Sequence, residues 1–159
     1  MRIFISVCLL VSLLLTSGCG FRLKQDWALT PSNNTLKLTS SDAQSPMTRS
    51  LKKYLRMRNV TIETEDTEVP EITLVSESLE RRLLSLFANG QVAEYDLVFK
   101  VSYALKLTDQ ESQMFEYQEI RQYQDDPDRA LAKSKEREVV LSEMRNKACD
   151  AILRRYIAK

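Results

Sequence analysis

The most regular pattern in the chain is an alternation of apolar and polar residues after Asn89 and Gly90. The positions between the apolar ones are mostly polar, as at Asp96 and Lys100. The apolar positions are Tyr95, Leu97, Phe99, Val101, Tyr103, Leu105 and Leu107. A period of two residues predicts a β-strand with one face in the core and the other in water.

A hairpin is predicted to join this strand to the segment before it. Asn and Gly both accept the positive φ angles of a type I′ turn, so Asn89 and Gly90 predict a two-residue connection. The preceding segment, 71–87, is also strand-like, and residues 112–124 form a further candidate strand. We therefore predict three strands that pair in the order in which they follow one another.

The strand before the turn changes its hydrophobic phase. The apolar residues of the later phase are Leu79, Leu83 and Phe87, which suit a buried face. Ile72 and Leu74 fall on the opposite phase. A β-bulge adds one residue to a strand and so exchanges its two faces. The sequence therefore predicts a bulge between Val75 and Glu80.

A strand, a helix and a second strand are predicted before this hairpin. Residues 35–40 and 60–65 alternate like short strands. Between them, Ser45 is a suitable N-cap and Pro46 suits the first helical position, after which apolar residues recur at helical spacing. The compact strand–helix–strand pattern predicts a βαβ unit with parallel strands.

A long helix closes the chain. Asp126 is predicted to cap it and Pro127 to start it, and the pattern continues for about 30 residues. Its predicted apolar stripe consists of Ala130, Val140, Leu141, Met144, Ala148, Ala151 and Ile152, with Arg145 among the residues outside it. The predicted fold class is α+β, a small mixed β-sheet with two helices packed on one face, in a single domain over residues 35–159.

The N-terminus has the pattern of a secretory signal. An apolar run over residues 3–15 follows a basic residue and precedes small ones. As a helix this run rises only about 20 Å, less than a bilayer core of about 30 Å. Gly18 and Cys19 resemble a bacterial lipobox, in which the thiol takes a diacylglycerol before the signal is cut. We expect a removed signal peptide (1–18), lipidation of Cys19 and a lipidated tether (19–34), the alternative being an ordinary signal with an incidental cysteine.

Composition argues against several function classes. The chain has 23 Lys and Arg, 22 Asp and Glu, and no His. Balanced charge gives no general attraction to nucleic acid, and the missing histidine removes the commonest general base and metal ligand. No motif of a hydrolase, a P-loop, a zinc site or a dithiol site occurs. We therefore expect no enzyme activity, no catalytic residues, no metal, no cofactor and no nucleic-acid partner, and a buried structural role for Cys149.

Two surfaces suit recognition by a partner. The hairpin tip, with Asn89, Gly90 and Gln91, is expected to be exposed. The start of the last helix carries Arg129 and Lys133, four residues apart on one side. A helix N-terminus attracts anions through its free N–H groups and its dipole. The alternative for the basic pair is two solvated charges on a helix flank.

Three blocks of residues carry a resemblance. They are "CGFRL" from Cys19, "NGQVAEYDL" from Asn89, and "YQDDPDRALAKSKEREVVLSEMRNKACDAILRRY" near the end of the chain. In their order and spacing they resemble the LptE family of lipopolysaccharide-assembly lipoproteins. The likeness covers nearly all of the processed chain, and its last block is the most specific.

The resemblance implies a non-enzymatic lipoprotein of a Gram-negative bacterium. Gly20 after the lipidated cysteine favours the outer membrane, where acyl chains would hold the protein at the periplasmic face. Members of this family plug the lumen of the LptD β-barrel and assist its assembly. Together with the barrel they help to insert lipopolysaccharide into the outer leaflet.

The resemblance also implies particular residues. Lys133 and Arg121 stand at basic positions expected to contact lipopolysaccharide, with Arg129 beside them. The hairpin tip around Asn89 is expected to contact the partner. Ala88 occupies a place where the family can carry a basic residue, and the candidate substitutes are Arg81 and Arg82.

Two further hypotheses come from other classes. A periplasmic ligand-binding or inhibitor lipoprotein without a barrel partner would need an apolar pocket, and we expect no apolar residues beyond those of the core. A cell-envelope hydrolase is disfavoured by the missing histidine and motifs. Co-purification of an outer-membrane barrel would separate the first hypothesis from both.

Overall fold

The computed structural model describes residues 34–64, 68–108 and 110–158. The signal peptide, Cys19 and the tether lie outside the described residues, so their prediction is not tested by the fold. The strands are β1 (Thr35–Ser40), β2 (Thr61–Glu63), β3 (Glu71–Leu86), β4 (Val92–Lys106) and β5 (Gln113–Gln124). The helices are α1 (Pro46–Met57) and α2 (Ala130–Ile157), the second preceded by a short 3-10 turn (Pro127–Arg129).

The five strands form one mixed sheet in the order β2-β1-β3-β4-β5. β1 pairs in parallel with both β2 and β3, which confirms the predicted βαβ unit. β3, β4 and β5 are antiparallel neighbours, as predicted. The α+β fold class with a mixed sheet and two helices is therefore confirmed.

Side-chain caps precede α1 and the 3-10 turn before α2, whereas α2 itself begins without one. The Ser45 hydroxyl accepts a hydrogen bond from the Thr48 N–H, and Pro46 is the first residue of α1, as predicted. Asp126 accepts from the Asp128 N–H, but Pro127 starts a 3-10 turn and α2 begins at Ala130. The prediction that the helix starts at Pro127 is therefore wrong by one turn.

The hairpin of β3 and β4 extends far beyond the end of β1. β1 ends at Ser40, which pairs with Leu74. The predicted bulge follows directly, because the register of β3 with β4 shifts between Leu74 and Ser76. We call the part of the sheet beyond this shift the arm: Ser76–Leu86, Val92–Ser102 and Glu116–Gln124. The rest of the sheet, with α1 and the C-terminal half of α2, is the base.

The core lies between one face of the sheet and the two helices. On the sheet it includes Ile72, Leu74, Leu97, Phe99, Val101, Tyr103 and Leu105. The helices contribute Met47, Leu51, Leu55, Met144, Ala148, Cys149, Ile152, Leu153 and Tyr156. Val98 and Ala104 are also buried, although they lie on the opposite face of β4, so the prediction that this face is entirely wet is wrong.

Three apolar residues of β3 and the following loop differ from their predicted burial. Leu79 and Leu83 oppose Phe99 and Tyr95, so they have the predicted phase. Yet Leu79, Leu83 and Phe87 are 42%, 55% and 41% exposed. They have the phase of the core face but lie on the β3 side of the arm, whereas the buried residues of the arm lie on β4 and β5, at Leu97, Phe99, Val101 and Tyr123.

The hairpin turn also differs from its prediction. The Gly90 N–H donates to the Phe87 carbonyl at 2.9 Å, and the Phe87 N–H donates to the Gln91 carbonyl at 2.8 Å. Gly90 has φ +82°, whereas Asn89 does not have a positive φ. The loop therefore has three residues, with glycine alone in the left-handed region, and a type I′ turn is wrong.

The last helix packs mainly through its C-terminal half. Cys149 is fully buried, as predicted, and burial raises the pKa of its thiol to about 12. Ala130 is exposed rather than part of the apolar stripe. Arg145, predicted outside, is mostly buried because its Nε donates to the Glu77 carboxylate at 3.0 Å. Within the described residues, no helix is both long and apolar enough to cross a membrane.

Candidate functional site

The hairpin tip and the start of the last helix lie side by side at the end of the arm. They share a surface cavity of about 510 Å³. Its lining consists of Phe87, Ala88, Asn89, Gln91, Asp126, Pro127 and Asp128. The Asp125 N–H donates to the Ala93 carbonyl at 2.8 Å, which holds the two segments together. The two surfaces proposed separately from the sequence are therefore one surface.

The tip has a defined shape although it is exposed. The side-chain oxygen Oδ1 of Asn89 accepts from the Gln91 N–H at 3.0 Å, and the Asn89 side-chain amide donates to Oε1 of Gln91 at 2.8 Å. A Cβ at Gly90 would meet no atom within 4 Å. The glycine is therefore required for its backbone conformation rather than for space.

Lys133 lies where α2 crosses the end of β5. Its ammonium lies 5.5 Å from the centre of the Tyr123 ring and 2.9 Å from Glu136. The Tyr123 hydroxyl donates to the Lys133 carbonyl. The hydrogen bond with Glu136 raises the pKa of Lys133, so this side chain stays cationic at neutral pH. The resulting cation faces the arm at a fixed position.

Arg121 lies on β5, two residues before Tyr123 and therefore on the same face. Its Nε donates to Glu119 at 2.8 Å, and Lys147 donates to the same carboxylate at 2.9 Å. Burial acts to raise the pKa of Glu119, but the hydrogen bonds from Arg121, Lys147 and Tyr117 outweigh it and lower that pKa. One carboxylate thus holds two cations, and the local charge stays positive.

Arg81 completes a basic group on the arm. Arg81, Leu97 and Arg121 form one row across β3, β4 and β5. Neighbouring strands are about 4.8 Å apart, so the two arginine Cα atoms are about 10 Å apart on the same face. The Arg81 guanidinium lies 5.5 Å from the Tyr95 ring centre, and Tyr95 pairs directly with Tyr123. We call Arg81, Arg121 and Lys133, with these two tyrosines, the basic cluster.

Arg82 and Arg129 have different surroundings. Arg82 pairs with Asp96 in the register and forms an ion pair with Glu80 at 3.5 Å, so it lies on the opposite face of the arm. Arg129 is exposed at the end of the 3-10 turn, where its N–H donates to the Asp126 carbonyl at 3.1 Å. In the sequence analysis Arg81 and Arg82 are equal candidates to substitute for a basic residue at Ala88. The phase of Leu79 and Leu83 already separates them, because Arg81 shares the face of these leucines and Arg82 does not.

The arm also exposes a large apolar surface. Its apolar residues at least 40% exposed, with Phe87 of the adjoining loop, are Leu79, Leu83, Leu84, Leu86, Phe87 and Ile120. Leu131 and Val139 are exposed on the nearby half of α2. The expectation that no apolar residues exist beyond the core is therefore wrong. These side chains lie on both faces of the arm, because Leu79 and Leu83 pair with core-face residues of β4 and Ile120 pairs with Val98 on the other face.

The described residues contain no group of three or more side chains that could hold a metal ion. Arg82, Arg121 and Lys133 form ion pairs, and Arg81 contacts an aromatic ring. The arrangement can bind an anion beside an apolar surface.

Comparison with known proteins agrees with this arrangement. A family model described as LptE, lipopolysaccharide-assembly, matches residues 26–156. The LPS-assembly lipoprotein LptE of Yersinia enterocolitica is 34% identical over 149 residues, covering 92% of this chain and 72% of that protein. The corresponding protein of Pectobacterium atrosepticum is 32% identical, covering 92% and 81%.

A solved structure supports the same assignment. The crystal structure of the rare lipoprotein B from Shewanella oneidensis is 43% identical, with a TM-score of 0.71. The likeness covers 79% of this chain and 95% of that chain. The family match, the curated relatives and the shared fold lead to one conclusion: this chain belongs to the LptE family of lipopolysaccharide-assembly lipoproteins.

Proposed function

We propose that the protein is an outer-membrane lipoprotein that plugs the LptD β-barrel, assists its assembly and helps to insert lipopolysaccharide into the outer leaflet. In this proposal residues 1–18 are removed, Cys19 is acylated, and residues 19–34 tether the domain of residues 35–159. The protein acts by binding and not as an enzyme.

The observation that carries the proposal is the set of apolar side chains that the arm leaves uncovered. Its exposed leucines and Phe87 are grouped at one end of the molecule, beside the tip and the start of α2. Burying apolar surface contributes roughly 25 cal/mol per Å², so a partner that covers this group gains substantial free energy. A barrel that surrounds the arm would cover both of its faces at once.

The direction of the arm fits a tethered plug. The described chain begins at Asn34 in the base, and the tip lies at the opposite end of β3 and β4. A tether from Cys19 to Asn34 spans at most about 50 Å when fully extended. An acyl anchor would therefore keep the base near the membrane and raise the local concentration of the arm at the barrel.

The basic cluster is the proposed contact with lipopolysaccharide. Arg81, Arg121 and Lys133 present cations on one face of the arm, at spacings that suit several phosphate groups. Arg81 then takes the place of a basic residue at Ala88. Arg129 extends the same contact from the 3-10 turn, and Asn89, Gly90 and Gln91 contact the barrel.

Co-purification tests the contact with the barrel. Leu83→Asp and Leu86→Asp place a charge in the exposed apolar group, and we expect both to reduce recovery of the barrel with the acylated protein. Met114→Asp is the matched control, because Met114 is 60% exposed but pairs with Ala104 in the base. Barrel recovery that is unchanged in all three variants would refute the role of the arm.

Binding to lipopolysaccharide tests the basic cluster. Each of Arg81→Glu, Arg121→Glu and Lys133→Glu removes a charge-assisted contact that contributes roughly 1.5–3 kcal/mol, so binding should weaken about tenfold or more. Arg82→Glu on the opposite face and Lys135→Glu on exposed α2 are controls and should bind normally. Equal binding by all five variants would count against the cluster but not against the barrel contact.

A second candidate function rests on a recess where the base meets the arm. Ser40–Asp42, the start of α1 and β3 line a cavity of about 370 Å³ whose apolar residues are Met47, Leu74, Val75, Leu79 and Val101. This volume is within the range of small-ligand sites. A periplasmic ligand-binding or inhibitor lipoprotein would use this recess, and recovery of the protein without any barrel, but with a small molecule bound there, would favour it.

A further inference from the structure

α1 presents an entirely basic outer face. It carries Arg49, Lys52, Lys53 and Arg56, and no acidic residue occurs between Pro46 and Met57. The spacing of these residues is i, i+3, i+4 and i+7, which places all four on one side of a helix. We call these four residues the α1 stripe.

The orientation of the α1 stripe is set by the core. The opposite side of α1 buries Met47, Thr48, Leu51 and Leu55. Arg49, Lys53 and Arg56 are exposed, and Lys52 is half-buried. The helix cannot rotate without exposing its leucines, so the four cations always face outward.

The stripe lacks the carboxylates that accompany several basic residues elsewhere in the described chain. Arg82, Arg121, Lys133, Arg145 and Lys147 each form an ion pair. In the described part of the chain, no member of the stripe has such a pair. The side-chain hydrogen bond of Arg49 goes to the neutral carbonyl of Gln44, at 2.7 Å.

Like charges at these spacings destabilise a helix by about 0.2–0.5 kcal/mol per pair. The chain as a whole is nearly neutral, with 23 basic and 22 acidic residues. The concentration of unpaired cations on α1 is therefore a local property, and it gives no benefit to the fold itself.

The stripe lies in the base, on the side of the sheet where β1 begins. β1 runs away from Asn34, and α1 runs back, so the end of α1 returns to that side of the sheet. The Thr61 N–H donates to the Asn34 carbonyl at 2.7 Å, directly after this return. Arg56 and the 71% exposed Met57 are therefore near the point where the tether is attached.

We propose that the α1 stripe docks on the anionic phospholipid headgroups of the bilayer that holds the acyl chains. This inference depends on the proposed anchoring at Cys19. The stripe and Met57 border one shallow depression of about 480 Å³, open to solvent, which suits a broad phosphate-bearing surface. Juxtamembrane clusters of four or more Lys and Arg bind anionic membranes, with about 1 kcal/mol, or roughly fivefold in partitioning, from each.

Vesicle binding tests this docking without barrel or lipopolysaccharide. The chain starting at Gly20 carries no acyl group, and it keeps the folding unit because the core extends from Leu36 to Tyr156. Sedimentation is measured with vesicles of phosphatidylcholine alone and with about 30% phosphatidylglycerol. We expect binding only to the anionic vesicles. This binding should be lost at high salt, because dissolved ions screen the attraction between the stripe and the headgroups.

Two triple variants with the same net charge separate position from charge. Lys52→Gln, Lys53→Gln and Arg56→Gln together should weaken partitioning about 100-fold. The control Arg82→Gln, Lys106→Gln and Lys135→Gln also removes three exposed cations and should weaken it less than about fivefold. Thermal unfolding of each variant confirms that the fold is intact.

Several outcomes would overturn the docking. They are equal binding to both vesicle types, an equal loss in both triple variants, or a stripe variant that binds anionic vesicles normally. In that last case, loss of barrel co-purification would assign the stripe to a protein surface, and loss of lipopolysaccharide binding would assign it to that lipid. Failure of wild-type barrel co-purification with intact vesicle binding would refute the proposed function alone.

Discussion

The two halves of β3 contain the same kinds of residue and have opposite surroundings. Ile72 and Leu74 in the base are buried, with at most 4% of their surface exposed. Leu79 and Leu83 in the arm have the phase of the same sheet face and are about half exposed. The difference is the cover: Ile72 and Leu74 pack in the core with the helices, whereas the buried core residues of the arm lie on β4 and β5, at Leu97, Phe99, Val101 and Tyr123, and the leucines of β3 are left uncovered. The apolar residues of a strand therefore show which of its faces makes apolar contacts. They do not show whether those contacts are made within the chain or with a partner.

The comparison also separates stability from recognition. In the base, apolar burial stabilises the fold of a single chain. In the arm, apolar side chains of the same kind stay exposed and are available to a partner, beside the cations of the basic cluster. A residue can thus be important in the arm while contributing little to folding.

The largest expected effect comes from shortening the same residue type in the two halves. Leu74→Ala should lower the free energy of unfolding by about 2–5 kcal/mol, because it leaves a cavity in the core. Leu83→Ala should change it by less than about 1 kcal/mol, because the side chain is already exposed. Urea unfolding of the chain starting at Gly20 measures both, and equal costs would mean that the arm is covered within the chain.

A smaller effect is expected where the base meets the arm. Glu77 accepts from the Met47 N–H at 3.1 Å and from Arg145, and so ties β3 to both helices. Glu77→Ala should cost about 2–3 kcal/mol, because it leaves a mostly buried guanidinium and a helix N–H without this acceptor. Glu80→Ala, three residues into the arm, should cost less than about 0.5 kcal/mol, since its ion pair is exposed. Thermal unfolding measures the cost of both substitutions. A larger cost for Glu80→Ala than for Glu77→Ala would mean that the arm is the more tightly held region.

The smallest effect is a pH dependence from Glu119, which joins the arm to α2. Its pKa in the folded protein is below the ordinary value of 4.5. Ionised Glu119 therefore stabilises the fold above about pH 4.5, and this contribution is lost as the pH falls through the lowered pKa. Glu119→Gln should cost about 1–2 kcal/mol at pH 7 and much less at pH 3. Parallel stability curves for both proteins from pH 7 to 3 would contradict this linkage.

Much of the local structure could be predicted because short-range rules decide it. Ser45 and Pro46 start α1 as its cap and first residue, and the phase change in β3 occurs at a real bulge. Two local predictions failed at the tip and at α2. Asn89 does not take a positive φ because the loop has three residues, and Pro127 starts a 3-10 turn before the helix.

The candidate site could be predicted only in part. The sequence identified Arg121, Lys133 and the hairpin tip as separate positions, and it left Arg81 and Arg82 as equal alternatives. The register of three strands brings Arg81, Arg121 and Lys133 together through Tyr95 and Tyr123. This arrangement joins three residues, on three different elements, of which Arg81 and Arg121 are 40 positions apart. A pattern within one segment carries no information about it.

Residue order alone was thus enough for the strands and the two helices, the cap of α1, the bulge and the balance of charge, because these depend on neighbours within a few positions. Only the packed structure decided that the leucines of β3 in the arm stay uncovered, that Arg145 turns inward to Glu77, and that the basic face of α1 lies outward. The reason is geometric, since the period of a strand or helix sets the direction of a side chain. Whether anything lies in that direction depends on elements that are distant in the chain.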